Sequence, residues 1–263
     1  MSRATDPGHR IVITGGSGGI GTGIARAALD RGHRVVLVDR DAPSLRTAAR
    51  TLGPRVETVE LDITDEPAVA RWAEADDEPV DALVNNAGIF RGGTMEDLDV
   101  DAWRAVIEVN LTGTFIMSKH VGRRMIARGQ GSIVGIASVG SLAPSSGAGA
   151  YSPSKAGVAM LMQQLAVEWG RYGVRANSVS PGFIRAGLAA SFYDDPQVAE
   201  GRRALVPAAR LGSEQDVADV VLFLCSPDSS YVNGQNIAVD GGLLRTAVSH
   251  APRYGPPSGP VSA

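Results

Sequence analysis

The chain has 263 residues, of which 44% are hydrophobic and 20% are charged, so it is long enough to bury a sizeable core. Its formal net charge of -3, without any run of lysine or arginine, excludes the basic surface that nucleic acid or an anionic membrane would need. The polar N-terminus and the lack of an apolar stretch of roughly 18 residues predict neither secretion nor a membrane span.

Strand-like apolar runs alternate with helical patterns along the first two thirds of the chain. The runs that predict strands are residues 10–14, 34–39, 56–61, 81–86, 132–138 and 174–180. The intervening segments with helical apolar spacing include residues 20–32, 42–53 and 66–75. This alternation predicts a doubly wound α/β fold, in which helices cover both faces of a parallel sheet. Ligands of such folds bind beyond the carboxyl ends of the strands.

A glycine-rich segment, TGGSGGIG at residues 14–21, joins the first predicted strand to the first predicted helix. At such a turn the backbone can approach a pyrophosphate closely, and free N–H groups of the helix N-terminus bind its charge. We assign this role to Gly15, Gly19 and Gly21. The alternative is an ordinary glycine turn, which the segment alone does not exclude.

The end of the second predicted strand favours one dinucleotide over another. Asp39 follows the glycine-rich segment by about 20 residues, where a carboxylate can accept both hydrogen bonds from an adenosine ribose. This favours NAD over NADP, because a carboxylate repels the 2′-phosphate of NADP. The adjacent Arg40 could instead pair with that phosphate. A solvated turn is the alternative interpretation of Asp39.

The ends of the third and fourth predicted strands also supply candidates. Asp62 and Ile63 could flank the adenine, and the alternative is a helix N-cap, because TDEP at residues 64–67 is typical of a helix start. Four residues with amide or small side chains end the fourth strand: Asn85, Asn86, Ala87 and Gly88. They could tie adjacent strand ends together or leave room beside a cofactor.

Three side chains predict proton chemistry at the same edge of the sheet. Tyr151 and Lys155 share one face at the start of a helix that is predicted to extend to about Arg171. An ammonium near a phenol lowers the tyrosine pKa towards the working range of a general base. Ser138, at the end of the fifth strand, could contact the same substrate oxygen. Taken singly, each is more often a turn or surface residue.

These motifs, in this order, resemble the short-chain dehydrogenase/reductase family in its compact, non-extended branch. The resemblance rests on TGGSGGIG, on NNAG at residues 85–88, on Ser138 with Tyr151 thirteen residues later, on YSPSK at residues 151–155, and on SPG at residues 180–182. It covers residues 8–243, nearly the whole chain.

The resemblance implies a Rossmann-type fold with a parallel sheet of about seven strands. It implies that Tyr151 is the general acid/base, that Lys155 binds the nicotinamide ribose and lowers the tyrosine pKa, and that Ser138 polarises the substrate oxygen. Asn110 matches the asparagine that anchors a water linked to this lysine. The further cofactor-binding residues that it implies are Ser17, Ile20, Pro181, Gly182 and Ile184.

Two residues depart from the family pattern. Ala186 stands where a threonine often contacts the nicotinamide carboxamide, so that contact is missing or comes from the backbone. Pro153 lies inside YSPSK. Because proline is tolerated only in a first helical turn, Tyr151 should lie in the first turn of its helix.

The C-terminal third of the chain implies an assembly and a domain boundary. Residues 210–242 resemble the last helix and last strand of the family, which implies a homotetramer or, next, a homodimer. The only cysteine, Cys225, lies in an apolar helical pattern, which predicts a buried thiol and favours a reducing cytoplasm. We predict one catalytic domain over residues 1–245 and a flexible tail over residues 246–263, which is rich in proline, glycine and serine.

The favoured function is an NAD(H)-dependent interconversion of a secondary alcohol and a ketone, with a small-molecule substrate and no metal. A redox-neutral epimerase, isomerase or dehydratase and a dinucleotide-sensing protein remain alternatives. Arg91 or Arg185 could contact an acidic group of the substrate. The predicted lining of the substrate pocket is Phe90, Arg91, Val139, Gly140, Ser141 and residues 183–193.

Overall fold

The computed structural model describes residues 8–187 and 192–246. Seven parallel strands form one sheet with the order β3-β2-β1-β4-β5-β6-β7. The strands are β1 (Arg10–Thr14), β2 (Arg34–Asp39), β3 (Val56–Glu60), β4 (Ala82–Asn85), β5 (Gly131–Ile136), β6 (Val174–Pro181) and β7 (Asn236–Val239). The doubly wound parallel sheet predicted from the sequence is confirmed.

Helices cover both faces of this sheet. They are α1 (Gly19–Asp30), α2 (Ala42–Leu52), α3 (Glu66–Ala75), α4 (Val100–Ile107), α5 (Gly113–Arg128), α6 (Tyr151–Trp169), α7 (Pro196–Leu205) and α8 (Glu214–Cys225). Successive side chains of a strand point to opposite faces. Accordingly, Ile11 and Ile13 of β1 pack with α1 and α8 in one core, whereas Val12 packs with α5 and α6 in the other.

The order of the strands reverses at β1, which pairs with β2 on one side and with β4 on the other. Connections leave the two sides of β1 in opposite directions, and a crevice therefore opens at its carboxyl end. Thr14 is the last residue of β1, and the glycine-rich segment follows it directly. The fold thus places this segment at the crevice.

Several predicted boundaries agree with the structure, and others differ by one or two residues. Helix α6 begins at Tyr151, so Pro153 lies in its first turn as expected. Strand β4 ends at Asn85, one residue before the predicted end. The reason is that the Asn86 N–H donates to the Thr14 hydroxyl, at 3.0 Å, instead of continuing the ladder.

The C-terminal predictions meet the structure in part. Cys225 is buried, as predicted, and burial raises the pKa of its thiol to about 12. Of the predicted tail, only Thr246 falls within the described residues, and its hydroxyl donates to the Leu243 carbonyl. The rest of the tail lies outside the described residues. None of the helices in the described ranges is long and apolar enough to cross a membrane.

Candidate active site

The glycine-rich segment forms a tight turn between β1 and α1. Gly15 has a φ of +61°, and a Cβ there would lie 2.7 Å from the Cα of Ala87. A Cβ on Gly19 would lie 2.1 Å from the backbone nitrogen of Gly187. Gly18 is the N-cap of α1 and has no side chain to cap the first-turn N–H groups. The turn is therefore a cradle of backbone that suits a pyrophosphate, because no side chain caps the first N–H groups of α1.

A cavity of about 420 Å³ lies above this cradle, at the carboxyl ends of the central strands. Most of the predicted cofactor and catalytic residues line it: Gly15, Ser17, Gly19, Ile20, Asp39, Asn86, Ala87, Gly88, Ser138, Tyr151, Lys155, Pro181, Gly182 and Ile184. Gly21 does not line it, because its Cα packs within the turn, where a Cβ would lie 2.4 Å from the Gly15 carbonyl. Its role is to close the turn.

Asp39 ends β2 at the rim of this cavity. Its Oδ2 accepts a 2.5 Å hydrogen bond from the Ser17 hydroxyl, and its Oδ1 accepts one from the Asp41 N–H at 3.2 Å. The carboxylate is thus held at the strand end and joined to the glycine-rich turn. An acceptor fixed in this position suits a ribose diol.

A second cavity, of about 150 Å³, shares Gly15, Asp39, Ala87 and Gly88 with the first. The other three residues predicted for the adenine end line this second cavity: Arg40, Asp62 and Ile63. The helix N-cap is a different residue, Asp65, whose carboxylate accepts from the Ala68 N–H.

Asp62 is held by a neighbour on its own turn and by the residue that follows β2. Burial alone would raise the pKa of its carboxyl, but hydrogen bonds from Thr64 and the charge of Arg40 keep that pKa below its usual value. The Arg40 guanidinium lies 3.6 Å from the Asp62 carboxylate. Arg40 is therefore already paired with a carboxylate at this end of the site.

Asn86 ties adjacent strand ends together, which is one of the two roles that the sequence left open. Its amide donates to the carbonyls of Thr14 and Gly15, each at 3.0 Å, and so ties β4 to β1 and to the turn. It also lines the large cavity together with the small residues Ala87 and Gly88. The neighbouring Asn85 points into the core and donates to Ser118.

Ser138 and Tyr151 meet where β5 ends and α6 begins. The Ser138 hydroxyl bonds the Tyr151 phenol and also accepts from the Gly140 N–H at 3.1 Å. Burial raises the pKa of Tyr151, and only the hydrogen bond from Ser138 acts in the opposite direction. The expectation of a lowered tyrosine pKa is therefore wrong for the structure described, because desolvation disfavours the phenolate.

Lys155 is buried one turn along α6 from Tyr151. Its Nζ donates to the Ile136 carbonyl at 2.7 Å and lies 5.7 Å from the centroid of the Tyr151 ring. Burial lowers the pKa of this amine to about 8. The ammonium is thus oriented by the end of β5 and lies beside the phenol ring without bonding its hydroxyl.

Asn110 lies behind the site and lines neither cavity. It is fully buried in a π-helical turn, Glu108–Thr112, that joins α4 to α5. Its amide donates to the Ile89 carbonyl and to the Ser154 hydroxyl, each at 3.0 Å, while its Oδ1 accepts from the Ile89 N–H at 2.8 Å. These are the buried partners that an asparagine inside an apolar helix requires.

A third cavity, of about 430 Å³, opens on the other side of Tyr151 and shares Ser138, Tyr151 and Gly182 with the cradle cavity. Among the predicted substrate residues, those that line it are Phe90, Val139, Gly140, Phe183, Phe192 and Tyr193. Arg91 and Ser141 do not line it, and Arg185 lines a separate surface cavity. Predicted positions 188–191 lie outside the described residues.

Several residues that line the cavities were not predicted from the sequence. In the cradle cavity these are Gly18, Ile136 and Ala137. In the cavity beyond Tyr151 they include Arg202, Leu243, Leu244 and Thr246. Ala186 and Gly187 belong to the segment 183–193 predicted for the substrate pocket, and they line the cradle cavity instead. Gly18 lies inside TGGSGGIG and could have been included, but nothing in the local sequence around Arg202 or Leu243 indicates a site. The Ala186 N–H bonds the Ile184 carbonyl, so it is not free to replace the absent threonine hydroxyl.

Comparisons with known proteins match nearly the whole chain. A family model described as enoyl-(acyl carrier protein) reductase matches residues 15–244. A short-chain type dehydrogenase/reductase from Mycobacterium ulcerans is 34% identical, with a TM-score of 0.86 over 90% of each chain. The chain belongs to the short-chain dehydrogenase/reductase family. Its relatives in this family include a galactitol 2-dehydrogenase (L-tagatose-forming) of Cereibacter sphaeroides, 39% identical over 88% of this chain and 92% of that protein.

A further short-chain dehydrogenase/reductase bears on the cofactor. A gluconate 5-dehydrogenase from Burkholderia cenocepacia J2315, solved in complex with NADP and tartrate, is 34% identical with a TM-score of 0.86, over 91% of this chain and 96% of that one. That relative therefore binds NADP rather than the NAD predicted for this chain.

Proposed function

We propose that this protein is an NAD(H)-dependent oxidoreductase that interconverts a secondary alcohol and a ketone. The observation that supports this most strongly is the position of Ser138 and Tyr151, which line both the cradle cavity and the cavity beyond it. A substrate in the cavity beyond Tyr151 can therefore place its oxygen at these two hydroxyls while its carbon faces the cradle cavity. NAD, when bound, would supply the hydride acceptor.

The chain's own residues move the proton and orient the groups around it. Tyr151 would accept the hydroxyl proton during oxidation and return it during reduction, and Ser138 would hold the substrate oxygen by a hydrogen bond. Lys155 would bind the nicotinamide ribose with the N–H groups that the Ile136 carbonyl does not use. Asn110 would fix the backbone of Ile89 beside this lysine.

The raised pKa of Tyr151 favours the neutral phenol in the structure described. A neutral phenol is the form that protonates a ketone oxygen, and alcohol oxidation needs the phenolate. We therefore expect ketone reduction to be efficient at neutral pH and alcohol oxidation to improve as the pH rises.

NAD is our proposed dinucleotide, although the Burkholderia relative was solved with NADP. Asp39 is anchored by Ser17 and Asp41 at the point where a 2′-phosphate would have to sit, and its carboxylate repels that group. Arg40, which could compensate, is drawn towards Asp62 at 3.6 Å.

The substrate is proposed to be a secondary alcohol or ketone of moderate size. The relatives reported above act on galactitol and on gluconate, which both contain secondary hydroxyl groups. A cavity of about 430 Å³ accepts such molecules and larger ones. Because the family-model description names an enoyl reductase, an enoyl thioester belongs in the same substrate panel.

We propose that the protein forms a homotetramer, with a homodimer as the second alternative. Large apolar side chains remain exposed on two separate surfaces of the single chain: Phe223 (41%) and Tyr231 (101%) near α8, and Phe115 (45%), Met160 (61%) and Val167 (81%) on α5 and α6. Two separate apolar surfaces suit two kinds of subunit contact. Light scattering after gel filtration measures the assembly.

We propose the cytoplasm as the compartment of this protein, since its single thiol is buried and unpaired.

The decisive experiment compares the wild type with Tyr151→Phe. Wild-type enzyme is incubated with NAD or NADH and a panel of polyols, hydroxy acids, simple secondary alcohols, ketones and an enoyl thioester, and NADH absorbance is followed. We expect turnover on alcohols or ketones, with kcat lowered by roughly 10²- to 10⁴-fold in Tyr151→Phe. NADH binding, followed by fluorescence, should remain close to wild type.

The controls separate this proposal from its rivals. Tyr172→Phe removes a phenol that lines none of the three cavities and should leave turnover unchanged. Wild-type turnover retained in Tyr151→Phe contradicts the mechanism. Substrate conversion without net NADH formation would instead indicate redox-neutral chemistry, and NADH binding without conversion of any panel member would indicate a sensor.

A further inference from the structure

The cavity beyond Tyr151 has a single charged side chain among its described lining residues, Arg202. The other lining residues are apolar or carry neutral hydroxyl groups, and no carboxylate is among them. An arginine in an otherwise uncharged cavity gives that cavity a positive potential, which water screens less than at an open surface. The electrostatics of the cavity therefore favour an anion.

Aromatic rings hold the Arg202 guanidinium in place. Its Cζ lies 5.0 Å from the ring centroid of Phe183, and 5.4 Å from those of Phe192 and Tyr193. Its Nη1 also donates to the Tyr193 hydroxyl at 3.3 Å. Cation–π contacts stabilise the charge through the ring faces and leave the edge of the guanidinium plane free to donate hydrogen bonds. The rings thus orient Arg202 without neutralising it.

Arg202 has no carboxylate within ion-pair distance among residues 8–187 and 192–246, in contrast to two arginines close to it in the chain. Arg203, the next residue of α7, bonds Glu200 at 2.6 Å, and Arg210 bonds Asp216 at 2.6 Å. A guanidinium has five N–H donors, and one hydrogen bond is found for Arg202 within those ranges. With respect to the described residues, most of its donors are therefore available to a ligand in the cavity.

We propose that Arg202 binds a carboxylate of the substrate, so that the physiological substrate is a hydroxy acid or keto acid with an apolar skeleton. This inference rests on the proposed function, because it places the carbinol at Ser138 and Tyr151. The acid group lies at the Arg202 end of the same cavity, and the Phe183 and Phe192 side chains pack against the atoms between. The planar fork of arginine matches a carboxylate with two parallel hydrogen bonds.

Binding of a non-reactive acid tests the proposal independently of turnover. The full chain, saturated with NADH, is titrated calorimetrically with cyclohexanecarboxylate and with cyclohexanecarboxamide, which share one skeleton and differ in charge. We expect wild type to bind the acid at least about ten-fold more tightly than the amide. Arg202→Gln should abolish this preference, whereas Arg203→Gln, which removes a neighbouring arginine that lines another cavity, should preserve it.

Arg202→Lys keeps the charge and guards against loss of folding in Arg202→Gln. It should retain part of the preference for the acid, because an ammonium attracts a carboxylate but cannot form the two parallel hydrogen bonds. Three results overturn the proposal. The first is a wild type that does not prefer the acid, or does not bind it at all. The second is a preference for the acid that survives in Arg202→Gln, and the third is a preference that Arg203→Gln abolishes to the same extent as Arg202→Gln. If Arg202→Gln does not fold, an unchanged preference in Arg202→Lys overturns it as well.

Turnover distinguishes this proposal from the proposed function. Each hydroxy acid in the panel, such as 5-hydroxyhexanoate, is compared with its methyl ester. If the ester and the acid are oxidised with equal kcat/KM, the redox function stands and the role of Arg202 fails. If the acid binds through Arg202 but no alcohol or ketone is converted, the anion site stands and the redox function fails.

Discussion

Lys155 and Tyr151 lie one turn apart on α6, yet the lysine amine bonds the end of β5 rather than the phenol. Its Nζ is 2.7 Å from the Ile136 carbonyl oxygen and 5.7 Å from the centroid of the Tyr151 ring. The ammonium is therefore fixed by the sheet in a buried position, where burial lowers its pKa to about 8. Burying this ammonium therefore lowers the stability of the folded protein.

Replacing this lysine should stabilise the protein in a pH-dependent way. A fall of the Lys155 pKa from 10.5 to about 8 corresponds to about 3 kcal/mol of destabilisation below pH 8, where both folded and unfolded states bind the proton. Between pH 8 and 10.5 the unfolded state binds more protons, so wild-type stability gains as the pH rises. Lys155→Met should therefore raise the free energy of unfolding at pH 7 by about 1–2 kcal/mol, after loss of the Ile136 hydrogen bond. That advantage should shrink towards pH 10.

The only other lysine provides the matched control. Lys119 is partly exposed and pairs with Glu66 at 2.6 Å, so Lys119→Met should change stability by less than about 1 kcal/mol. Urea unfolding at several pH values measures both variants. A destabilised Lys155→Met at pH 7, or an advantage that grows with pH, contradicts the buried-ammonium interpretation.

Ser138→Ala should move the pH profile of alcohol oxidation in the alkaline direction. The hydrogen bond from Ser138 lowers the pKa of Tyr151 against the larger effect of burial, so its loss raises that pKa further. Alcohol oxidation needs the phenolate, so the pH midpoint of kcat/KM for oxidation should shift to higher pH. Ketone reduction needs the neutral phenol and should therefore persist to higher pH. Ser152→Ala removes a neighbouring buried hydroxyl that has no partner within the described ranges and should leave the midpoint in place. A shift to lower pH in Ser138→Ala contradicts the assigned hydrogen bond.

The sequence predicted the site well where the residues that determine the local fold of a short segment also line the cavity. TGGSGGIG predicted the turn and its cavity, since a Cβ on Gly15 or Gly21 would clash with the turn itself or with the residues just after β4. Pro153 predicted correctly that Tyr151 lies in the first turn of α6, because proline fits only a first turn. The i, i+4 spacing also predicted correctly that Lys155 lies near Tyr151.

Features that depend on contacts between distant parts of the chain could not be predicted from short segments. The direction of the Tyr151 pKa depends on how much water the whole site excludes, and spacing along a helix does not measure that. Arg202 enters the cavity beyond Tyr151 through α7, about 50 residues after Tyr151, with no motif around it. The π-helical turn at Asn110 likewise follows from its partners on Ile89 and Ser154, which a propensity scale does not include.

Asp39→Ala should convert the preference for NAD into one for NADP or remove it. The substitution deletes the acceptor anchored by Ser17 and also the charge that repels a 2′-phosphate. We expect the ratio of the NADP to the NAD dissociation constant to fall by about ten-fold or more. Glu60→Ala removes the carboxylate paired in register with Asp39 on β3, which lines neither nucleotide cavity, and should leave the ratio unchanged. A wild-type preference for NADP would contradict the proposal outright.

Asn110 supports the site from behind. Its three side-chain hydrogen bonds join the π-helical turn to Ile89 and to Ser154 of α6. Between these elements lies Gly88, where a Cβ would be 3.2 Å from Asn110 Oδ1 and 3.3 Å from Lys155 Nζ. Asparagine and lysine are therefore packed against the same glycine, and a shift of one is transmitted to the other.

Asn110→Ala should consequently lower both stability and catalysis. It leaves the Ile89 N–H and carbonyl and the Ser154 hydroxyl with one partner fewer in the interior, so unfolding free energy should fall by about 3 kcal/mol or more. Asn85→Ala is the matched control, because Asn85 is equally buried but donates only to Ser118 and has no partner at Oδ1 within the described ranges. Asn85→Ala should lower the unfolding free energy less, by about 1 kcal/mol.

Since Asn110 acts through Lys155, kcat should fall more than KM rises in Asn110→Ala, and the pH midpoint of oxidation should shift. Equal stability losses in the two variants with an unchanged midpoint would indicate that Asn110 is structural alone.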